Sequence, residues 1–205
     1  LLTADHGDML GDHGMWAKRL FYEGSARVPM VLVGAKNDSS IAMGKVDDRL
    51  VGLQDVMPTL LDIAGLPIPS SVEGLSMLGE KRRDVLFGEC GEERNASRMI
   101  HDGRHKLIWY PGGQIVQLFD LQKDPKECHD LSLDPSANEV RLRLEAALIE
   151  NLYGTDLDWV HEGRLKGYAS DGSRIQPDRQ LSGQRGVHYP QPPIDHPERT
   201  AIRPA

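Results

Sequence analysis

The chain has 205 residues, room for one ordinary domain or two small ones. Its 31 acidic against 24 basic side chains leave a formal charge of −7, so there is no electrostatic reason to expect binding to nucleic acid or an anionic membrane. Hydrophobic residues at 39% and aromatics at 5% indicate a modest core with much loop, and no run approaches the roughly 18 apolar residues that a membrane helix needs.

Residues 1–4 are short and apolar before a turn, which predicts the end of a buried parallel strand. Residues 5–27 are glycine-rich and without periodicity, a long loop with one helical turn near Lys18. Loops of that length are uncommon in compact domains unless they have a function. Residues 28–33 (VPMVLV) predict a second buried strand, with Pro29 near its start. A helix is expected over 53–64, with Asp55 as N-cap, Pro58 in the first turn and Gly65 as the stop. Val56, Leu60, Ile63 and Ala64 would form its inward stripe. Residues 66–73 are a Pro/Ser-rich connector.

Residues 84–91 are apolar enough for a strand. The segments 98–101, 106–110 and 115–120 follow as short strands, separated by the turn signals Asp102-Gly103 and Pro111-Gly112-Gly113. Together they predict a small antiparallel sheet. Ser136 and Glu139 have capping-box spacing, and Val140, Leu144, Ala147, Leu148 and Leu152 recur at helical intervals, so a helix should pack on that sheet. From Gly154 onward proline, glycine, arginine and aspartate dominate, which predicts an irregular tail able to wrap the core or reach a partner.

The strongest chemical signal is Asp5-His6-Gly7 at the end of the first strand, with Lys18 thirteen positions after Asp5. The aspartate offers a hard anionic oxygen, the histidine a neutral nitrogen, and the glycine lets the backbone turn both to one point. A lysine nearby supplies a positive point charge to an anionic substrate. In isolation an Asp-His-Gly is more often a strand-end turn; the extended context favours a divalent-metal site. Asp8, Asp12 and His13 read as loop-capping or bracing groups, and Arg27 as a structural ion pair beneath the loop. His101, His105, His129, His161, His188 and His196 fit no ligand spacing, and Cys90 and Cys128 lack CxxC spacing and are expected as free thiols.

Asp5-His6-Gly7, Leu10-Gly11-Asp12-His13-Gly14, Trp16-Ala17-Lys18, Phe21-Tyr22-Glu23-Gly24-Ser25-Ala26-Arg27-Val28-Pro29 and the segment 55–65 (DVMPTLLDIAG) closely resemble the sulfatases of the alkaline-phosphatase superfamily, especially the choline sulfatases and phosphonate monoester hydrolases. Arg104-His105-Lys106-Leu107, Leu118-Phe119-Asp120-Leu121 and Asp124-Pro125 resemble the family's small C-terminal subdomain. The resemblance implies an α/β fold: the C-terminal part of an alkaline-phosphatase-like mixed sheet with flanking helices, plus a small antiparallel-sheet-and-helix subdomain. Residues 1–80 would belong to the catalytic core, 81–153 to the subdomain and 154–205 to the tail.

It implies hydrolysis of a small-molecule sulfate monoester, with Asp5 and His6 as two metal ligands and Lys18 as the catalytic lysine that binds the sulfate. The metal would be Ca²⁺, Mg²⁺ or Mn²⁺, and the imidazole leans toward Mn²⁺. The family's nucleophile is a formylglycine made from Cys or Ser, and neither cysteine here lies in the required Cys/Ser-x-Pro-x-Arg context. The nucleophile is therefore expected upstream, in a larger enzyme whose isolated C-terminal portion would be inactive. Two alternatives stand beside this: a phosphonate monoester hydrolase or phosphodiesterase on the same scaffold, and a non-catalytic module that forms homo-oligomers through its tail.

Overall fold

The computed structural model describes residues 1–18, 20–36 and 41–169. In chain order its elements are β1 (Leu2–Thr3), α1 (Glu23–Ala26), β2 (Met30–Val31), α2 (Val56–Ile63), β3 (Leu86–Cys90), β4 (Ser97–His101), β5 (His105–Tyr110), β6 (Ile115–Asp120), α3 (Asn138–Asn151), β7 (Val160–His161) and β8 (Arg164–Leu165). The architecture is mixed α/β, centred on a four-stranded antiparallel sheet of order β3-β4-β5-β6.

That sheet is buried on both faces, which explains why β5 reads as an almost continuous apolar run. Because side chains alternate across a strand, Ile100, Leu107, Trp109 and Leu118 share one face, where Leu144, Leu148 and Leu152 of the α3 region cover them. Met99, Ile108, Tyr110 and Phe119 point the other way, into a second core. The partners there come from the long N-terminal loop: Met9, Met15, Leu20 and Tyr22. The loop is thus a layer of the structure. Burying each of those large side chains contributes roughly 1.5–3 kcal/mol.

Several local expectations change. Residues 1–4 do not form a buried parallel strand: β1 pairs antiparallel with β2, and both are two residues long with Leu2 and Val31 exposed. The helical turn near Lys18 instead lies at α1, with a 3₁₀ turn at Asp12–Gly14. Asp55 ends a 3₁₀ turn at Leu53–Asp55 rather than capping α2 with its side chain. Its carboxylate accepts the Gly52 and Leu75 N–H groups (2.9 and 2.8 Å) and pairs with Arg83, which ties the helix start to the 75–83 segment. The face of α2 that turns inward carries Asp55, Pro58 and Thr59, while Leu60 and Ile63 are 48% and 42% exposed. Among the described residues no layer covers that stripe.

The Ser136–Glu139 capping box is replaced by Asp134, whose Oδ1 accepts the Ser136 N–H at 2.8 Å ahead of a 3₁₀ turn at Pro135–Ala137. The aspartate wins because Pro135 fixes that turn one step earlier in the chain. The segment after Gly154, expected to be irregular, first folds: a 3₁₀ turn at Gly154–Trp159 leads into the β7–β8 hairpin, and Trp159 packs edge-to-face on Trp109 at 5.4 Å. The Tyr189–Pro193 stretch, His188 and His196 lie outside the described residues, as does all of the expected tail after residue 169. Cys90 and Cys128 are not joined in a disulfide, as expected.

At one end of the sheet, Asp102 and Asp120 flank His105, with its Nδ1 3.5 Å from Asp102 and its Nε2 3.7 Å from Asp120. Burial works against ionisation of Asp102, but hydrogen bonds from Arg143 and the His105 and Arg104 N–H groups outweigh it and hold its pKa at about 2. Arg104 does the same for Asp120, also at about 2, against the cost of burial. Both folded values lie below the unfolded value of about 3.9. The pairs therefore stabilise the fold fully above about pH 4, and that contribution disappears as pH falls toward about 2. The thermal midpoint should fall over that window, and an Asp102→Asn/Asp120→Asn variant should show a shallower decline. An identical decline in the variant would refute the assignment.

Candidate active site

The loop between β1 and α1 is a folded-back ribbon. Gly7 N–H donates to the Ser25 carbonyl at 2.9 Å, Met9 N–H to Ala17 at 2.8 Å, and Gly11 N–H to Met15 at 2.8 Å. The two arms approach so closely that a Cβ at Gly7 would lie 2.2 Å from the Gly24 carbonyl oxygen. That distance requires glycine in the Asp-His-Gly triplet. Leu10, His13 and Ala17 adopt left-handed backbone at φ of 49°, 54° and 69°. Such conformations cost of order 1 kcal/mol or more each in a non-glycine residue, so packing must hold them.

The ribbon brings Asp5 and His6 on one arm against Lys18 on the other. Lys18 Nζ donates to His6 Nε2 at 2.5 Å, and Asp5 Oδ2 lies 3.2 Å from the same nitrogen. His6 Nδ1 is 2.7 Å from the Gly7 carbonyl oxygen. A carbonyl only accepts, so the hydrogen-bond network assigns the ring proton to Nδ1 and leaves a lone pair on Nε2. A carboxylate oxygen and an imidazole lone pair, both electron-rich and 3.2 Å apart, need positive charge between or beside them. The Lys18 ammonium supplies it here. The same donor set of one hard oxygen and one imidazole nitrogen suits a divalent cation, which would take up the Nε2 lone pair that the Lys18 ammonium engages here. Asp5 and His6 side chains are 83% and 36% exposed, so the carboxylate is accessible. Among the described residues no third His, Cys, Asp or Glu joins them to complete a metal site. They fit one half of a cation site.

The remaining loop residues brace this geometry. His13 stacks on Tyr22 with ring centroids 4.3 Å apart, and its Nε2 donates to the Lys126 carbonyl at 3.0 Å. Asp8 Oδ1 accepts the Leu10 N–H at 2.9 Å, an Asx turn. Asp12 opens the 3₁₀ turn, its carbonyl accepting the Met15 N–H at 2.9 Å. Arg27 is not beneath the loop: its side chain is 76% exposed and pairs with Glu23 at 3.7 Å. Tyr22 is tied to the sheet by Gln117, whose Nε2 donates to its hydroxyl at 2.9 Å. Burial pushes the Tyr22 phenol up to about 12, so it stays neutral.

Sequence reasoning missed the charged anchor beneath the loop, in which Lys106 of β5 pairs with Glu23 and Glu127. A signal existed. Lys106 sits at the strand positions that alternate with Ile108 and Tyr110, on a face the pattern marks as apolar.

A protein-family model described as N-sulphoglucosamine sulphohydrolase, C-terminal, matches residues 11–153. The arylsulfatase of Clostridium perfringens is 40% identical over 181 residues, covering 85% of this chain and 36% of that protein. The choline-sulfatase of Rhizobium meliloti is 36% identical over 144 residues, with 66% and 27% covered. Of the solved structures, the phosphonate monoester hydrolase of Agrobacterium radiobacter aligns with a TM-score of 0.62 at 25% identity, over 81% of this chain and 38% of that one. The chain therefore spans only 36% and 27% of the two curated relatives' lengths.

Proposed function

This chain belongs to the sulfatase family of the alkaline-phosphatase superfamily, and on that footing we propose that it is the C-terminal part of an enzyme that hydrolyses sulfate monoesters. Residues 1–80 contribute to its catalytic core and 81–153 form the C-terminal subdomain, onto which the turn at Gly154–Trp159 and the β7–β8 hairpin pack. Asp5 and His6 hold a divalent cation, Ca²⁺, Mg²⁺ or Mn²⁺, and Lys18 binds the sulfate group. The observation that carries this reading is the convergence of Asp5 Oδ2, His6 Nε2 and Lys18 Nζ from two arms of one loop.

When bound, the cation supplies Lewis-acid polarisation of the ester. This chain contributes the rest of the electrostatics. The Gly7 carbonyl fixes the His6 tautomer, and Asp5 adds the anionic charge that a cation requires. Lys18 places a compact ammonium where negative charge grows on the sulfuryl oxygens or the leaving oxygen. The nucleophile, a formylglycine in this family, would come from outside these 205 residues. A second reading, a phosphonate monoester hydrolase, is favoured by the structural likeness to the Agrobacterium radiobacter enzyme.

The test is side-by-side turnover of an aryl sulfate and an aryl phosphonate monoester by the full-length enzyme, before and after treatment with a chelator. Preferred turnover of the sulfate, lost on chelation and restored by Ca²⁺, Mg²⁺ or Mn²⁺, is expected. Preference for the phosphonate would transfer the assignment to the second reading, and turnover indifferent to chelation would remove the metal from it.

A further inference from the structure

Beneath the loop lies a charged cluster that touches neither Asp5, His6 nor Lys18. Lys106 and Glu127 side chains are each 1% exposed. Lys106 Nζ lies 2.7 Å from Glu23 Oε1 and 2.6 Å from Glu127 Oε1. Glu127 Oε2 accepts the Glu23 backbone N–H at 2.6 Å. Glu127 itself is held in left-handed backbone at φ 56°. Two carboxylates thus share one ammonium in a nearly dry environment. Burial pushes the Glu127 carboxyl up, with Lys106 pulling the other way. Taking these charges out of water is costly, and apolar side chains would fill the same space at lower cost. Stability alone therefore gives a poor account of the cluster.

Its position gives a better one. Glu23 is the first residue of α1, and Ser25 in the same turn accepts the Gly7 N–H at 2.9 Å. The Gly7 carbonyl in turn orients the His6 ring. Leu20 N–H donates to Ser25 Oγ at 3.3 Å, which ties the arm carrying Lys18 to the same point. Hydrogen bonds thus connect Lys106 and Glu127 through α1 to Gly7 and the His6 ring on one arm, and anchor the other arm at Leu20, two residues after Lys18.

Resting on the sulfatase reading above, we propose that the Glu23–Lys106–Glu127 cluster is a positioning device: it locks α1 to the antiparallel sheet and thereby sets Lys18 against Asp5 and His6. The three residues touch no substrate and act through the loop. Displacements near 1 Å from a group remote from the chemistry can lower a rate by about 100-fold.

The test uses the full-length enzyme with para-nitrophenyl sulfate. Lys106→Met/Glu127→Met replaces the buried pair by apolar groups of similar volume, so the fold should survive with an unchanged melting midpoint. The expected result is kcat lowered about 10- to 100-fold with KM within about 2-fold. Introduced into a Lys18→Ala enzyme, the same pair should cost little more, because the residue through which it acts has gone. Wild-type kcat in the folded double variant, or an equal loss in both backgrounds, would overturn the proposal. Should the double variant not fold, Glu23→Gln, which removes one charge from a partly exposed side chain, is read by the same two criteria. Undiminished turnover in Lys18→Ala alone would instead fault the reading of the site, and the proposal with it.

Discussion

Lys18→Ala in the full-length enzyme should lower kcat about 100- to 1,000-fold toward an aryl sulfate, the range seen when one preorganised donor to a developing oxyanion is removed. The ammonium sits 2.5 Å from His6 Nε2, so the alanine variant also leaves the Asp5 carboxylate and the His6 lone pair facing each other without that charge. Lys18→Arg should recover little, because a planar guanidinium presents its donors in a fork and not as a point charge. The loop should still fold, since Met9, Met15, Leu20 and Tyr22 hold it and Lys18 contributes nothing to that core. Stability within about 0.5 kcal/mol of wild type is expected. Steady-state kinetics and thermal melting of the same preparation decide the point. An alanine variant within a few-fold of wild-type kcat would exclude Lys18 from the chemistry.

The largest expected loss of stability is at Arg98 and Asp156. Arg98 on β4 and Asp156 in the 3₁₀ turn after α3 are 6% and 8% exposed. They form a two-pronged pair, Nε to Oδ2 at 2.5 Å and Nη2 to Oδ1 at 3.0 Å, and the Arg98 guanidinium lies 5.3 Å from the Trp159 ring centroid. Asp156→Ala leaves a buried guanidinium without its counter-charge and should destabilise the protein by about 3–5 kcal/mol. Arg98→Met/Asp156→Leu removes both charges and should return most of that loss. Urea denaturation of the three proteins provides the comparison. A single variant costing under about 1 kcal/mol would mean that water reaches the pair.

The antiparallel sheet was legible because its strands are short, apolar and separated by Asp102-Gly103 and Pro111-Gly112-Gly113, and β6 ends where the pattern ends it. Leu144, Leu148 and Leu152 face the core as their spacing requires. The α2 stripe misled because periodicity identifies an apolar face without identifying what meets it. In α2 the pairing of Asp55 with Arg83 fixes the inward side, a contact across 28 positions that no local pattern encodes. The docking of the loop was hidden for the same reason. Met9, Met15, Leu20 and Tyr22 follow no helical or strand period, yet they converge on Ile108, Tyr110 and Phe119 roughly a hundred positions away. Asp5, His6 and Lys18 were legible only as a family pattern with its characteristic offset. Their mutual distances come from backbone hydrogen bonds between the arms.

The sheet that presses α3 against one side and the Asp5–Lys18 ribbon against the other makes these parts inheritable only as a set. Grafting β3 to β6 from a distant relative into this protein would import a foreign bed for the ribbon, and exchanging the ribbon alone would seat it on a mismatched one. Chimeras that swap both segments together should work where single transplants fail, so recombination breakpoints are best tolerated outside that pair.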